Sequence, residues 1–90
     1  MSEDVDLHLG RRLRARRRAI GWTQKDLGDA LGMRFQQIQK YECGANRMSA
    51  ACLWRIAKLL DVGIGYFYAG LAASDRTDSP DVYEDDRRAY

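Results

Sequence analysis

TQKDLGDALGMRFQQIQKYECG, Thr23 to Gly44, spaces its capping, apolar and helix-breaking residues as two short helices joined by a tight turn. Thr23 offers a side-chain acceptor ahead of a helix, and Asp26, three residues on, completes a capping-box pattern. Leu27, Ala30 and Leu31 follow at i, i+3 and i+4, the spacing of one apolar helix face. Gly32 stands where a helix is ended by a residue that tolerates φ > 0. A second helix begins near Arg34, and Ile38 and Tyr41 mark its buried side. At about 100° per residue, Gln36 and Lys40 project almost opposite Ile38, with Gln37 and Gln39 on the flanks. Amides and an ammonium, in place of Glu/Lys pairs, match the donor and acceptor edges of bases in a DNA groove.

The span resembles the helix-turn-helix of the lambda-repressor/Cro type, a bacterial and phage family of small DNA-binding regulators. Gln24, Gly28, Gly32 and Ile38 stand where that family places its helix-start Gln, small residue, turn Gly and buried aliphatic. The resemblance runs from roughly residue 6 to residue 70, where it closes on VGIGYFYAG, Val62 to Gly70. It implies an all-α fold, a compact five-helix bundle of the lambda-repressor-like type.

Ninety residues allow one small domain with a thin core. A single Pro and few β-branched runs also favour helices. Charge is divided unevenly. Residues 1–70 hold 12 Lys/Arg and 7 Asp/Glu, hence +5, whereas residues 71–90 hold 3 and 6, hence −3. The expected organisation is therefore a basic helix-turn-helix DNA-binding domain, 1–70, and an acidic tail, 71–90. From Ala72 onward the chain is polar, contains Pro80 and has no helical or strand period, so the tail is read as disordered.

The start, SEDVDLH at 2–8, is acidic, and no apolar run reaches the length of a signal core or membrane span. A cytoplasmic protein with reduced Cys43 and Cys52, and no membrane association, is the expectation. Two Cys and one His are too few for a four-ligand structural zinc site, and no metal or cofactor is expected. Nor is catalysis: the chain has no Cys/His pair at a recognisable spacing, no phosphate-cradling Gly-rich loop after a strand, and no paired carboxylates on a pocket-forming scaffold.

Outside the central motif, a first helix is predicted over Asp6–Ile20, with Leu9, Leu13 and Ile20 in a narrow arc that Val5 extends. Six arginines crowd positions 11 to 18. Arg11, Arg14 and Arg18 point away from the apolar arc and read mainly as a solvated face, while Arg17 falls in line with it. A guanidinium in a core seam needs a partner. Glu42, about 40° from Ile38 on the inner side of its helix, is the attractive one, and the family resemblance implies the same buried pair. Gly21 ends the first helix, and Trp22 is expected to pack against the end of the second. Ser49 caps a fourth helix with Leu53, Ile56, Ala57 and Leu60 inside; Ile64 and Phe67 mark a short fifth.

Binding separates into reading and positioning. Gln36 is the first choice for base readout, because a side-chain amide pairs bidentately with adenine; Lys40 and Gln39 flank it. Phe35 admits two readings, contact with a thymine methyl or packing beneath the helix. Thr23, Gln24, Arg34, Asn46, Arg47 and Ser49 are the expected phosphate contacts, and Arg17–Glu42 the structural ion pair. The partner is double-stranded DNA, met as a homodimer on a pseudo-palindromic operator in the way the resemblance implies, most simply as a repressor. Trp54, Tyr66 and Tyr68 are the aromatics available for that interface, with local packing as the alternative. His8 reads as exposed near the start of the first helix, Cys43 as partly exposed, and Cys52 as a small core residue. A rival reading is an antitoxin-like interaction module whose tail folds on a protein partner and whose DNA binding is autoregulatory.

Overall fold

The computed structural model describes residues 4–71. Its elements are α1 (Val5–Ala19), α2 (Gln24–Leu31), α3 (Phe35–Glu42), α4 (Ala50–Leu59) and α5 (Ile64–Tyr68). The tail expected at 71–90 lies, apart from Leu71, outside the described residues.

α1 begins and ends one residue earlier than the apolar pattern indicates. Its cap is Asp4, whose carboxylate accepts the Leu7 N–H at 3.1 Å. Asp6 in the first turn and Arg16, Arg17 and Arg18 in the last oppose the helix dipole. Val5 is exposed, because the buried arc of α1 starts only at Leu9 and continues through Gly10, Leu13 and Arg17. Trp22 is half-buried and packs against the core.

α2 carries a complete capping box. The Thr23 hydroxyl accepts the Asp26 N–H at 2.9 Å, and the Asp26 carboxylate accepts the Thr23 N–H at 2.9 Å. The Thr23 N–H foremost, and then the Thr23 side chain, hold the Asp26 carboxyl below its ordinary range. Gly32 closes the helix at φ 73°, a left-handed conformation in which a Cβ is strained. Leu27 and Leu31 are buried, but Ala30 is exposed, contrary to the apolar-face reading. The buried arc rotates toward Gly28, at which a Cβ would lie only 2.6 Å from the Met33 carbonyl. The α2–α3 turn thus closes over the glycine side of α2, leaving Ala30 outside.

Ser49 caps α4 by accepting the Cys52 N–H at 3.0 Å. Leu53, Ile56, Ala57 and Leu60 all point inward. In α5, Phe67 is fully buried, whereas Ile64 is exposed. A five-residue helix offers one main core contact, and Phe67 takes it.

Two α1 arginines fasten the C-terminal half. Arg12 Nε donates to the Tyr66 carbonyl at 2.8 Å, its guanidinium lies 3.8 Å over the Tyr66 ring, and the Tyr66 hydroxyl donates back to the Arg12 carbonyl at 2.9 Å. Arg16 Nε donates to the Leu60 carbonyl at 2.8 Å. Tyr66, which also meets Phe67 edge-on at 5.2 Å, is therefore a packed residue and not a free surface aromatic.

Candidate nucleic-acid interface

α3 divides cleanly by exposure. Ile38, Tyr41 and Glu42 are buried, Gln37 is half-buried, and Phe35, Gln36, Gln39 and Lys40 are exposed. Positions 35, 36, 39 and 40 form one stripe on an eight-residue helix. Phe35 keeps 44% of its surface accessible, so it does not pack beneath the helix.

The back of the stripe is held by a carboxylate shared among three helices. Arg17 of α1 grips Glu42 of α3 through Nε–Oε2 at 2.6 Å and Nη2–Oε1 at 3.0 Å. Its Nη1 donates to the Trp22 carbonyl at 2.8 Å. Gln24 of α2 donates Nε2–H to Glu42 Oε1 at 3.1 Å. Both charges are buried, at 8% and 6% exposure, and each is satisfied by charge-assisted bonds. Tyr41 adds a bond from the Cys52 thiol at 3.8 Å, and burial, followed by that thiol, pushes its phenol up from the usual range. Such cross-ties fix the direction in which the exposed stripe points.

Around the stripe lie the residues expected to hold phosphates. Thr23 and Gln24 line an open groove with Phe35, and Gln24 lines a second with Gln39, so the starts of α2 and α3 converge. Gln24 spends one amide N–H on Glu42 and retains another. Thr23 and Ser49 use their oxygens as cap acceptors and still carry an O–H to donate. Arg34 is exposed ahead of α3, and Asn46 is half-buried, with its main-chain N–H on the Lys40 carbonyl at 3.3 Å. Arg47 stands apart. Its Nε is 3.3 Å from Asp6 Oδ2, and it lines a different groove with Asp4, Met48 and Tyr68.

Trp54 and Tyr68 are exposed, with Lys58 Nζ 4.8 Å above the Trp54 ring. Cys43 is exposed and Cys52 buried, both with free thiols. His8 is half-buried, unlike the exposed residue expected, because its Nε2 is 2.8 Å from the Ala69 carbonyl. No helix among the described residues is long and apolar enough to cross a membrane.

Several positioning residues escape a periodicity reading. Gly10, mid-helix in α1, is pressed against the α3 backbone at Tyr41 and Glu42, and Arg55 Nη2 donates to the Leu31 carbonyl at 3.2 Å across α4 and α2. A glycine inside a helical pattern, costing about 1 kcal/mol against Ala, is itself a signal of close packing. Arg12, Arg16 and Arg55 left no such mark, because their carbonyl acceptors are set only by tertiary placement.

These features define a helix-turn-helix domain, and comparison with known proteins agrees. The helix-turn-helix family profile matches residues 13–67, and the chain belongs to that family, in its lambda-repressor/Cro branch. A transcriptional regulator in the ATPase CF(0) region of Rhodospirillum rubrum is 51% identical over 71 residues, covering 79% of this chain and 66% of that one. An HTH-type transcriptional regulator of Rhizobium meliloti is 47% identical over 64 residues, covering 71% of this chain and 46% of its own. The chain thus spans about half to two-thirds the length of the curated relatives it matches. Among solved structures, the restriction-modification controller protein C.AhdI from Aeromonas hydrophila superposes with a TM-score of 0.64 at 26% identity, covering 68% of this chain and 92% of that one.

Proposed function

We propose that this chain is a cytoplasmic, non-enzymatic transcriptional regulator that binds specific double-stranded DNA, acting as a repressor in the form of a homodimer on a pseudo-palindromic operator. The observation that carries this reading is the exposed Phe35, Gln36, Gln39, Lys40 stripe backed by the buried Arg17–Glu42 pair. A rigid presentation of polar side chains is what major-groove readout by the second helix of such a motif requires.

In this reading α2 lies across the DNA backbone while α3 enters the major groove. Gln36 pairs bidentately with adenine N6 and N7, and Lys40, one turn on, reaches guanine acceptors or a phosphate. The exposure of Phe35 favours contact with a thymine methyl. Thr23, Gln24 and the free N–H groups opening α2 hold a phosphate, with Arg34, Asn46, Arg47 and Ser49 holding others. Exposed Trp54 and Tyr68 support a second copy docking through the α4–α5 side. Residues 1–70 serve as the DNA-binding domain and 71–90 as its acidic appendage.

Selection from random duplexes with the purified chain at physiological salt tests the reading. The expected product is a symmetric consensus whose half-sites lie about one helical turn, roughly 34–36 Å, apart. An asymmetric single site would remove the homodimer, and recovery of unrelated sequences would remove specific binding.

A further inference from the structure

The six arginines of α1 separate into two sets that do different things. Arg12, Arg16 and Arg17 are spent inside the molecule, on the Tyr66 carbonyl, the Leu60 carbonyl and Glu42. Arg11, Arg14 and Arg18 are exposed, and their side chains make no hydrogen bond or ion pair among the described residues. At about 100° per residue these three fall within about 60° of one another. At 1.5 Å per residue they extend about 10 Å along the helix.

Their surroundings place this row beside the candidate interface. Arg11 and Arg14 line the groove that holds Gln24 and Gln39. Arg14 and Arg18 line the groove that holds Thr23, Lys25 and Phe35. The row therefore borders both helices of the motif. Like charges at i, i+3 and i+4 repel, and no carboxylate of α1 intervenes among them, so folding alone gives no reason to align them. Because α1 packs on the buried side of α3 through Arg17 and Glu42, the row cannot enter a groove to read bases. Phosphates are what remain within its reach, and successive phosphates of a strand advance only about 3.4 Å along the duplex.

We propose that Arg11, Arg14 and Arg18 form a track for the DNA backbone, holding phosphates outside the base pairs read by α3. The inference rests on the DNA-binding reading above and adds to it a second, sequence-independent contact surface.

The test uses the full chain and the duplex it selects, either carrying flanks or trimmed to the recognised base pairs. Replacing all three residues, R11Q/R14Q/R18Q, should lower the slope of log K against log salt by about 2.7, at about 0.9 per phosphate. Preference for the selected duplex over a scrambled one should stay unchanged. Trimming the flanks should weaken the unaltered protein and leave the triple variant almost unaffected. Ethylation interference at flanking phosphates should vanish in the variant alone, and R11K/R14K/R18K should restore it. Thermal unfolding checks that the variant is folded, and removing mutual repulsion should leave the midpoint unchanged or raised. An unaltered salt slope, or a flank footprint that survives the Gln substitutions, overturns the track while leaving base reading intact. If the unaltered protein shows no sequence preference, the DNA-reading proposal itself falls.

Discussion

Glu42→Ala is expected to lower the unfolding free energy by about 3–5 kcal/mol, the range for breaking one side of a buried ion pair. Removing the carboxylate leaves the Arg17 guanidinium buried with only the Trp22 carbonyl as acceptor, and deprives the Gln24 amide of its partner. Domains of this size hold roughly 5–15 kcal/mol in total, so the variant should lie near its unfolding limit. The thermal midpoint should fall by about 4–8 °C for each kcal/mol. Arg17→Ala removes the same two Arg17–Glu42 bonds from the other side, so the double variant should be far less destabilised than the sum of the single changes. Denaturant titration of the four proteins measures this. Simple additivity would mean that the pair does not act as a unit. Replacing both residues with apolar side chains of similar volume should recover much of the loss, though not the orientation of Gln24.

Gly10→Ala should destabilise the protein, against the sign that helix propensity gives. In an exposed helix interior the change gains about 1 kcal/mol. At position 10, however, the new Cβ would lie inside van der Waals contact of the Tyr41 carbonyl oxygen and only 2.7 Å from that of Glu42. These are backbone atoms at the end of α3, so relief requires α1 and α3 to part. Overpacking of this kind costs about 1–3 kcal/mol, occasionally more. The separation would also stretch the Arg17–Glu42 bonds, which span the same two helices. A lowered midpoint in thermal unfolding is expected; a raised one would show that the helices do not approach so closely.

What the sequence disclosed follows from how local each constraint is. Thr23 with Asp26, Gly32, and Ile38 with Tyr41 are fixed by spacings within one or two turns, and they occupy the positions those spacings imply. The Arg17–Glu42 pairing was also readable, because a cation falling on an apolar arc demands a buried partner. Ala30 and Ile64 differ from expectation, and Tyr66 takes the packed one of its two readings, for a shared reason. Periodicity gives the face of a helix, but the width and direction of the buried arc depend on the neighbour. Gly28 turns that arc away from Ala30, Phe67 fills the only deep position of α5, and Arg12 claims Tyr66. For Phe35 the two readings could not be separated by angle, since residue 35 is both three before Ile38 and at the helix start. Spacing names Arg47 as a candidate phosphate contact but not its neighbour Asp6, which lies 41 residues away in sequence.

The most direct test of α3 as the reading surface compares Gln36→Ala with Arg47→Ala on the selected duplex, on its single-base variants and on unrelated DNA. Gln36→Ala should erase discrimination at one base pair per half-site, a loss of about 1–3 kcal/mol, while barely changing affinity for unrelated DNA. Arg47→Ala should weaken every duplex alike and reduce the salt slope by about 0.9. Equal losses on selected and unrelated DNA for Gln36→Ala would contradict base reading by the exposed face of α3.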